Sequence, residues 1–213
     1  MDFLPEEIEN YIIKNTEEEP AVLKELNHET WEKVLIPRML SGHIQGRVLS
    51  MLSHMIQPTT ILEIGTYTGY SAICLAEGLQ EGGKVHTIDI NEELEVMVST
   101  YIEKAHLTNT IINHIGNAME IIPTLPGTLD LVFIDADKTN YSNYFDLVFD
   151  KVKTGGYIIA DNVLWSGKII EPSENLDADT LSLIAYSEKI NNDDRVQNVL
   201  FPIRDGLMIA RKK

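Results

Sequence analysis

The sequence contains one cysteine, Cys74, among its 213 residues. A single cysteine excludes an internal disulfide, and its place in an apolar helical pattern predicts a buried structural thiol. No apolar stretch approaches the roughly 18 residues of a membrane helix. Residues 1–7 also lack the basic start and the apolar run of a secretory signal. We therefore expect a cytoplasmic protein that does not enter the membrane.

Positive charge is also scarce. The chain carries 17 Lys and Arg residues against 33 Asp and Glu residues, a formal net charge of −16 at pH 7. Such a charge repels polyanions, which argues against a broad nucleic-acid surface but leaves room for a local basic pocket. Because 44% of the residues are hydrophobic, the chain can bury one substantial core. We expect a single domain over residues 1–213.

The first part of the chain, residues 1–57, reads as helical. Its clearest helical pieces are 6–14, 20–26 and 46–56, with Pro20 in a first helical turn. From Thr59 onward, short apolar runs alternate with helical patterns, which predicts βαβ units and a parallel sheet. The predicted strands are 61–64, 85–88, 111–115, 129–134 and 157–160.

The end of the chain follows another pattern. Two apolar runs, 196–203 and 207–210, flank the turn signal Arg204-Asp205-Gly206 and predict an antiparallel hairpin. Before them, residues 171–180 read as a long polar loop. Such a loop either contacts a substrate or is a solvated acidic connector, and the sequence leaves both open.

Two acidic clusters each follow an apolar run, Asp135-Ala136-Asp137-Lys138 and Asp161-Asn162. Because ligands bind beyond the carboxyl ends of parallel strands, and neighbouring strands lie roughly 5 Å apart, these groups are expected to converge. Two carboxylates and an amide oxygen suit Mg²⁺ or a similar cation, and Lys138 is near enough to act as a base. The alternative is ordinary capping of the helices that follow the strands.

A glycine-bearing turn, Gly65-x-x-x-Gly69, follows the first predicted strand. It is neither a dinucleotide fingerprint nor a P-loop, so a phosphate is not the expected ligand. Glu63, just before the turn, would oppose a pyrophosphate but attract the sulfonium or amino group of S-adenosylmethionine. Asp89 closes the second strand, where a carboxylate can bind both ribose hydroxyls. The segment Gly116-Asn117-Ala118 follows the third strand, where an adenine would lie.

Together, the glycine-bearing turn and the two acidic clusters resemble those of the metal-dependent O-methyltransferases of the caffeoyl-CoA and catechol type, which use S-adenosylmethionine. The resemblance runs from about residue 38 to residue 211. Its most specific pieces are Leu62-Glu63-Ile64-Gly65-Thr66, Phe133-Ile134-Asp135-Ala136-Asp137-Lys138 with Tyr141 and Tyr144, Asp161-Asn162-Val163-Leu164-Trp165-Ser166-Gly167, and Asp205-Gly206-Leu207.

The resemblance implies an α/β fold, the class I methyltransferase Rossmann-like type. Its sheet would have seven mostly parallel strands with a C-terminal antiparallel hairpin and helices on both faces. It also implies a homodimer, and an N-terminal helical segment, residues 1–57, that covers the active site.

The resemblance further implies the residues of the site. The metal ligands would be Asp135, Asp161 and Asn162. The cofactor would be bound by Ser41, Glu63, Gly65, Thr66, Ser71, Asp89, Asn117, Ala118 and Asp135. Two departures stand out: Asn117 replaces a usually acidic residue, and residues 37–43 differ from the plant enzymes.

The function expected from these residues is methyl transfer from S-adenosylmethionine to one hydroxyl of a small catechol-like or vicinal-diol substrate. Lys138 would remove the proton beside a divalent cation, Mg²⁺ with Mn²⁺ and Ca²⁺ as alternatives. A second hypothesis is O-methylation of a hydroxylated nucleoside in tRNA, against which the acidic charge counts. An NAD-dependent dehydrogenase and a non-catalytic binding module are further alternatives; Glu63 and the missing fingerprint oppose the dehydrogenase.

Overall fold

The computed structural model of the chain describes residues 4–213. Residues 1–3, which belong to the predicted domain and to the amino-terminal segment searched for a signal, lie outside the described residues. Within the described part, no helix is both long enough and apolar enough to cross a membrane.

One mixed sheet of seven strands organises residues 4–213. The strands are β1 (Thr60–Ile64), β2 (Lys84–Asp89), β3 (Ile111–Ile115), β4 (Leu129–Ile134), β5 (Val152–Ala160), β6 (Val196–Phe201) and β7 (Leu207–Lys212). Their order in the sheet is β3-β2-β1-β4-β5-β7-β6. Strands β1 to β5 pair in parallel, and β7 runs antiparallel to both β5 and β6. This confirms the predicted sheet and its C-terminal hairpin.

Helices cover both faces of the sheet, as predicted. Every residue of the central strand β4 is buried. The helices of the described residues are α1 (Glu6–Lys14), α2 (Ala21–Lys33), α3 (Gly42–Ile56), α4 (Tyr70–Ala76), α5 (Glu95–Lys104), α6 (Ala118–Ile121), α7 (Tyr141–Phe149) and α8 (Ala178–Asn191). The side chains of β4 alternate between two apolar clusters: Leu131 and Phe133 pack with α2 to α5, whereas Val132 and Ile134 pack with α6 to α8.

Several predicted boundaries are wrong: α3 begins at Gly42 rather than at residue 46, and α2 continues to Lys33 rather than to residue 26. Pro20 lies before the first turn of α2 as its N-cap, with an extended ψ of 144°. The predicted loop 171–180 ends early, because the Asp177 carboxylate accepts a hydrogen bond from the Thr180 N–H (2.8 Å) and caps α8. Strand β5 begins at Val152 rather than at residue 157, since polar residues and two glycines hide its first half from an apolar pattern.

Candidate active site

The sheet's hydrogen bonding continues past the ends of the central strands. The N–H of Asp135 donates to the carbonyl of Ile64 at 2.8 Å. In the same way, the N–H of Asp161 donates to the carbonyl of Ile134 at 2.9 Å. Asp135 and Asp161 are therefore neighbours at one edge of the sheet, as predicted.

Gly65 lets the turn after β1 pack against the end of β4. Its φ is +104°, and a Cβ added here would lie 1.9 Å from the carbonyl oxygen of Asp135. Its N–H donates to the carbonyl of Ile88 at 2.9 Å. Only glycine combines this backbone angle with this close approach, so Gly65 brings the turn and the acidic clusters together.

Lys138 lies among the acidic residues. Its Nζ donates hydrogen bonds to Asp135 Oδ1 (3.0 Å), to Asn162 Oδ1 (2.7 Å) and to the hydroxyl of Tyr141 (2.7 Å). The Tyr141 hydroxyl in turn donates to the backbone carbonyl of Asp161 at 3.1 Å. The Lys138 side chain is only 9% exposed, so its ammonium is held by these partners rather than by water.

Asp161 is buried, and both of its carboxylate oxygens have donors. Oδ1 accepts a hydrogen bond from the N–H of Asn162 (2.7 Å), and Oδ2 accepts one from the side-chain amide of Gln45. Burial and the nearby charge of Asp135 raise the pKa of Asp161. Asn162 has a φ of +60°, a left-handed conformation that asparagine tolerates better than most residues.

The donor set fits a hard cation. Among residues 4–213, no group of three or more His, Cys, Asp and Glu side chains is placed to hold a metal ion; the predicted set combines two carboxylates with one amide. The oxygens of Asp135 and Asn162 already converge on one cation, the Lys138 ammonium. Burial first, and then the charge of Asp135, raises the pKa of Asp161, and a bound divalent cation would favour the ionised form of this carboxylate.

Glu63 is fully buried beside this site. Its Oε2 accepts a hydrogen bond from the Thr87 hydroxyl (2.5 Å), whereas Oε1 has no partner among the described residues. Burial above all, with the charges of Asp135 and Asp89, raises the pKa of Glu63 to about 8. A positively charged ligand would favour its ionised form.

Asp89 is the last residue of β2, and Asn117 lies two residues after the end of β3. Asp89 Oδ2 accepts a hydrogen bond from the N–H of Tyr67 (2.7 Å), and Asp89 Oδ1 accepts one from the N–H of Asn91 (2.9 Å). These two bonds fix its carboxylate at the end of β2. Asn117 caps α6, because its Oδ1 accepts the N–H of Met119 at 2.9 Å.

The remaining predicted cofactor residues are buried around these groups. Thr66 Oγ1 lies 2.5 Å from the Thr87 hydroxyl that contacts Glu63. Ser71 lies in the first turn of α4, and Ala118 begins α6. Ser41 precedes α3, and its backbone carbonyl accepts a hydrogen bond from Arg204. All of the predicted cofactor residues therefore border the carboxyl edge of the sheet or the start of α3.

Sequence reasoning missed two side chains at the site. Gln45 touches Asp161, and Arg204 touches Gln45. Neither belongs to a predicted ligand cluster, and a lone glutamine in a helix carries no pattern that would mark it. Tyr141 is buried in the core, and its hydroxyl also accepts a hydrogen bond from Lys138 Nζ.

The chain matches the O-methyltransferase family over residues 13–213. Among curated proteins, it is 35% identical to caffeoyl-CoA O-methyltransferase 2 of Eucalyptus globulus, with 91% of this chain and 83% of that protein covered. It is 33% identical to caffeoyl-CoA O-methyltransferase 1 of Arabidopsis thaliana, with 91% and 79% covered.

Solved structures with a similar fold are also methyltransferases. The O-methyltransferase of Bacillus cereus in complex with SAH is 28% identical, with a TM-score of 0.89 and 97% of each chain covered. An SAH-bound methyltransferase of Podospora anserina is 27% identical, with a TM-score of 0.90 and coverage of 100% and 99%. The chain therefore belongs to the O-methyltransferase family and is an S-adenosylmethionine-dependent O-methyltransferase of the caffeoyl-CoA O-methyltransferase type.

Proposed function

We propose that this enzyme depends on a divalent cation and methylates one hydroxyl of a small catechol-like or vicinal-diol substrate. The observation that carries the proposal is the convergence of Asp135 and Asn162 on the Lys138 ammonium, at 3.0 Å and 2.7 Å. The candidate base is therefore directly hydrogen-bonded to oxygens that could bind a cation.

The metal ligands would be Asp135, Asp161 and Asn162. When bound, S-adenosylmethionine supplies the methyl group and the cation supplies positive charge that favours an ionised hydroxyl. The chain's own contribution is to hold these oxygens still. Asp161 is fixed by donors on both oxygens, and its backbone carbonyl is fixed by the Tyr141 hydroxyl.

In its neutral amine form, Lys138 would take up the substrate proton at Nζ and become the ammonium. Tyr141 supports this role because its hydroxyl lies 2.7 Å from Nζ and aims the amine toward the strand ends. A base must come within hydrogen-bond reach of the proton that it removes. A substrate hydroxyl held beside Asp135 and Asn162 would meet that condition.

The cofactor would be held along the neighbouring strand ends. Glu63 would face the positively charged methionine part of S-adenosylmethionine, and its unpartnered buried oxygen supports this placement. Asp89 would bind the ribose hydroxyls, since its carboxylate is fixed by two backbone N–H groups. Because binding energy from these remote parts orients the reactive methyl, both residues bear on turnover as well as on affinity.

An aromatic ring beside the candidate base supports a small aromatic substrate. The Lys138 Nζ lies 5.6 Å from the centre of the Trp165 ring, so an aromatic face borders the candidate base. The names of the plant relatives point to a caffeoyl-type substrate, whereas the net charge of −16 disfavours tRNA.

Metal removal tests the proposal. Protein treated with a chelator and then freed of it should methylate a catechol-type compound at a small fraction of the original rate, and added Mg²⁺ should restore the rate. Parallel assays with tRNA that carries a hydroxylated nucleoside address the second hypothesis. Full activity of the metal-free protein would refute the metal role, and methylation of the tRNA alone would refute the substrate class.

A further inference from the structure

A second row of contacts lies behind the proposed metal ligands. Arg204, in the turn between β6 and β7, donates through Nη1 to the side-chain oxygen of Gln45 at 2.8 Å. The same nitrogen donates to the backbone carbonyls of Ser41 and of Leu40, the latter at 3.3 Å. The amide of Gln45 then donates to Asp161 Oδ2. The hairpin, the start of α3 and the end of β5 are thereby connected.

The chemistry of this row fixes the orientation of the Gln45 amide. A guanidinium can only donate hydrogen bonds, and an ionised carboxylate can only accept them. The Gln45 oxygen must therefore face Arg204, and its NH₂ group must face Asp161. Since Gln45 is 2% exposed, water has little access to compete for either contact.

The backbone at Arg204 indicates that its side chain matters. Its φ is +49°, a left-handed conformation that residues with a Cβ adopt at a cost. Glycine would fit this angle without strain. The guanidinium is the group that a glycine here would lack, and it makes all three contacts with Gln45, Ser41 and Leu40.

We propose that Gln45 is a positioning residue for Asp161, and that Arg204 holds Gln45 in the only orientation that allows this. The inference rests on the proposed role of Asp161 as a metal ligand. Partners behind a metal ligand orient it, and their loss typically lowers metal affinity about 10- to 100-fold. Gln45 and Arg204 therefore set the affinity for the cation without touching it.

The test uses the full chain with Mn²⁺ alone as the probe, and its binding is followed by electron paramagnetic resonance. Gln45→Met, which preserves the length of the side chain, should raise the Kd for Mn²⁺ by about tenfold or more. Arg204→Gly should act in the same direction and relieve the backbone strain. Because both act through one contact, the double variant should bind no more weakly than Gln45→Met alone. Gln57→Gly is the matched control, since Gln57 also has a positive φ, +51°, and caps the far end of α3.

A second readout needs no metal. In nuclear magnetic resonance spectra, the Gln45 side-chain amide protons should exchange slowly in the wild type and faster in Arg204→Gly. The inference would be overturned if the exchange rate of these protons were the same in Arg204→Gly and in the wild type. It would also be overturned if Gln45→Met bound Mn²⁺ as tightly as the wild type does. In either case the proposed metal role of Asp161 would still stand. If Asp161→Ala binds Mn²⁺ as well as the wild type does, the proposed metal role falls, and the inference falls with it.

Discussion

At the residue scale, Lys138 is distinguished by what surrounds it. A lysine is usually exposed, yet the side chain of this one is 9% exposed and contacts Asp135, Asn162 and Tyr141. Those contacts place one amine against both acidic clusters. The position three residues after Asp135 made the closeness predictable, because the chain turns immediately after β4.

Replacing Lys138 tests its role as the base. General-base catalysis contributes typically 100- to 10,000-fold, so Lys138→Ala should lower turnover at pH 7 by a factor in that range. Part of the loss should return as the pH rises, because more of the substrate hydroxyl then ionises unaided. The control is Lys104→Ala, which removes an exposed lysine paired with Glu25. Wild-type turnover of Lys138→Ala, measured at saturating cofactor, would contradict the role.

Glu63 makes a prediction about stability and pH. Its pKa is raised from 4.5 to about 8 by burial. Between these values the unfolded chain has released the proton and the folded protein keeps it, so the free energy of unfolding falls as the pH rises, by up to about 1.4 kcal/mol per unit. Below pH 4.5 and above pH 8 this contribution is flat.

Urea unfolding of the wild type and of Glu63→Gln, at several pH values from 5 to 8, measures the effect. The variant has no proton to release, so its free energy of unfolding should fall less steeply across this window. Asp161, whose pKa is also raised, contributes to both proteins alike and cancels in the comparison. Parallel slopes for the two proteins would show that Glu63 is ionised in the folded state.

At the scale of elements, the turn after β1 depends on one close approach. Gly65→Ala places a Cβ 1.9 Å from a backbone oxygen of the β4 end, and backbone cannot swing aside as a side chain can. We expect the free energy of unfolding to fall by about 3 kcal/mol or more. Cofactor affinity should fall as well, since the turn and Asp135 would move apart.

Gly82→Ala is the matched control for this change. Gly82 also has a positive φ, +77°, but a Cβ there meets nothing within 4 Å. It should lower the free energy of unfolding by only about 1 to 2 kcal/mol, the strain of the backbone angle. Thermal and urea unfolding of the two variants would give the difference, and equal losses would mean that the contact with β4 yields easily.

The sheet was predictable because its strands are buried on both faces, which leaves continuous apolar runs such as that of β4. The first half of β5 was not predicted as a strand, since residues 153–156 are lysine, threonine and two glycines, a composition that resembles a loop. The acidic clusters could be predicted to meet, because parallel strands align their ends. The contact between Gln45 and Arg204 could not be predicted, since it joins residues 159 positions apart in the sequence and depends on where the start of α3 lies beside the turn between β6 and β7.

At the scale of the whole molecule, the proposed ligand set predicts which compounds react. Three protein oxygens leave an octahedral ion with open positions, so two adjacent substrate oxygens can bind together. A monohydroxy phenol, or a diol already methylated once, loses this double attachment. Its kcat/KM should be lower by about tenfold or more, the equivalent of roughly 1.4 kcal/mol in the activation barrier.

The test compares kcat/KM for catechol-type compounds with kcat/KM for their monohydroxy and monomethyl counterparts. All are assayed at matched concentrations with Mg²⁺. The same series with the Asp161→Ala variant is the control, because a damaged metal site should reduce the preference for diols. Equal efficiencies across the series in the wild-type enzyme would refute binding through both oxygens, even if activity still required metal.

The continued hydrogen bonding of the strand ends has a consequence for engineering. Because the backbone of the sheet itself places Asp135 and Asp161, their spacing does not depend on the connections that border the site. Residues 34–39 and 167–176 are such connections, and several of their side chains are exposed. A chimera that carries these two stretches from a plant relative should therefore acquire the acceptor preference of the donor enzyme while keeping its own affinity for S-adenosylmethionine.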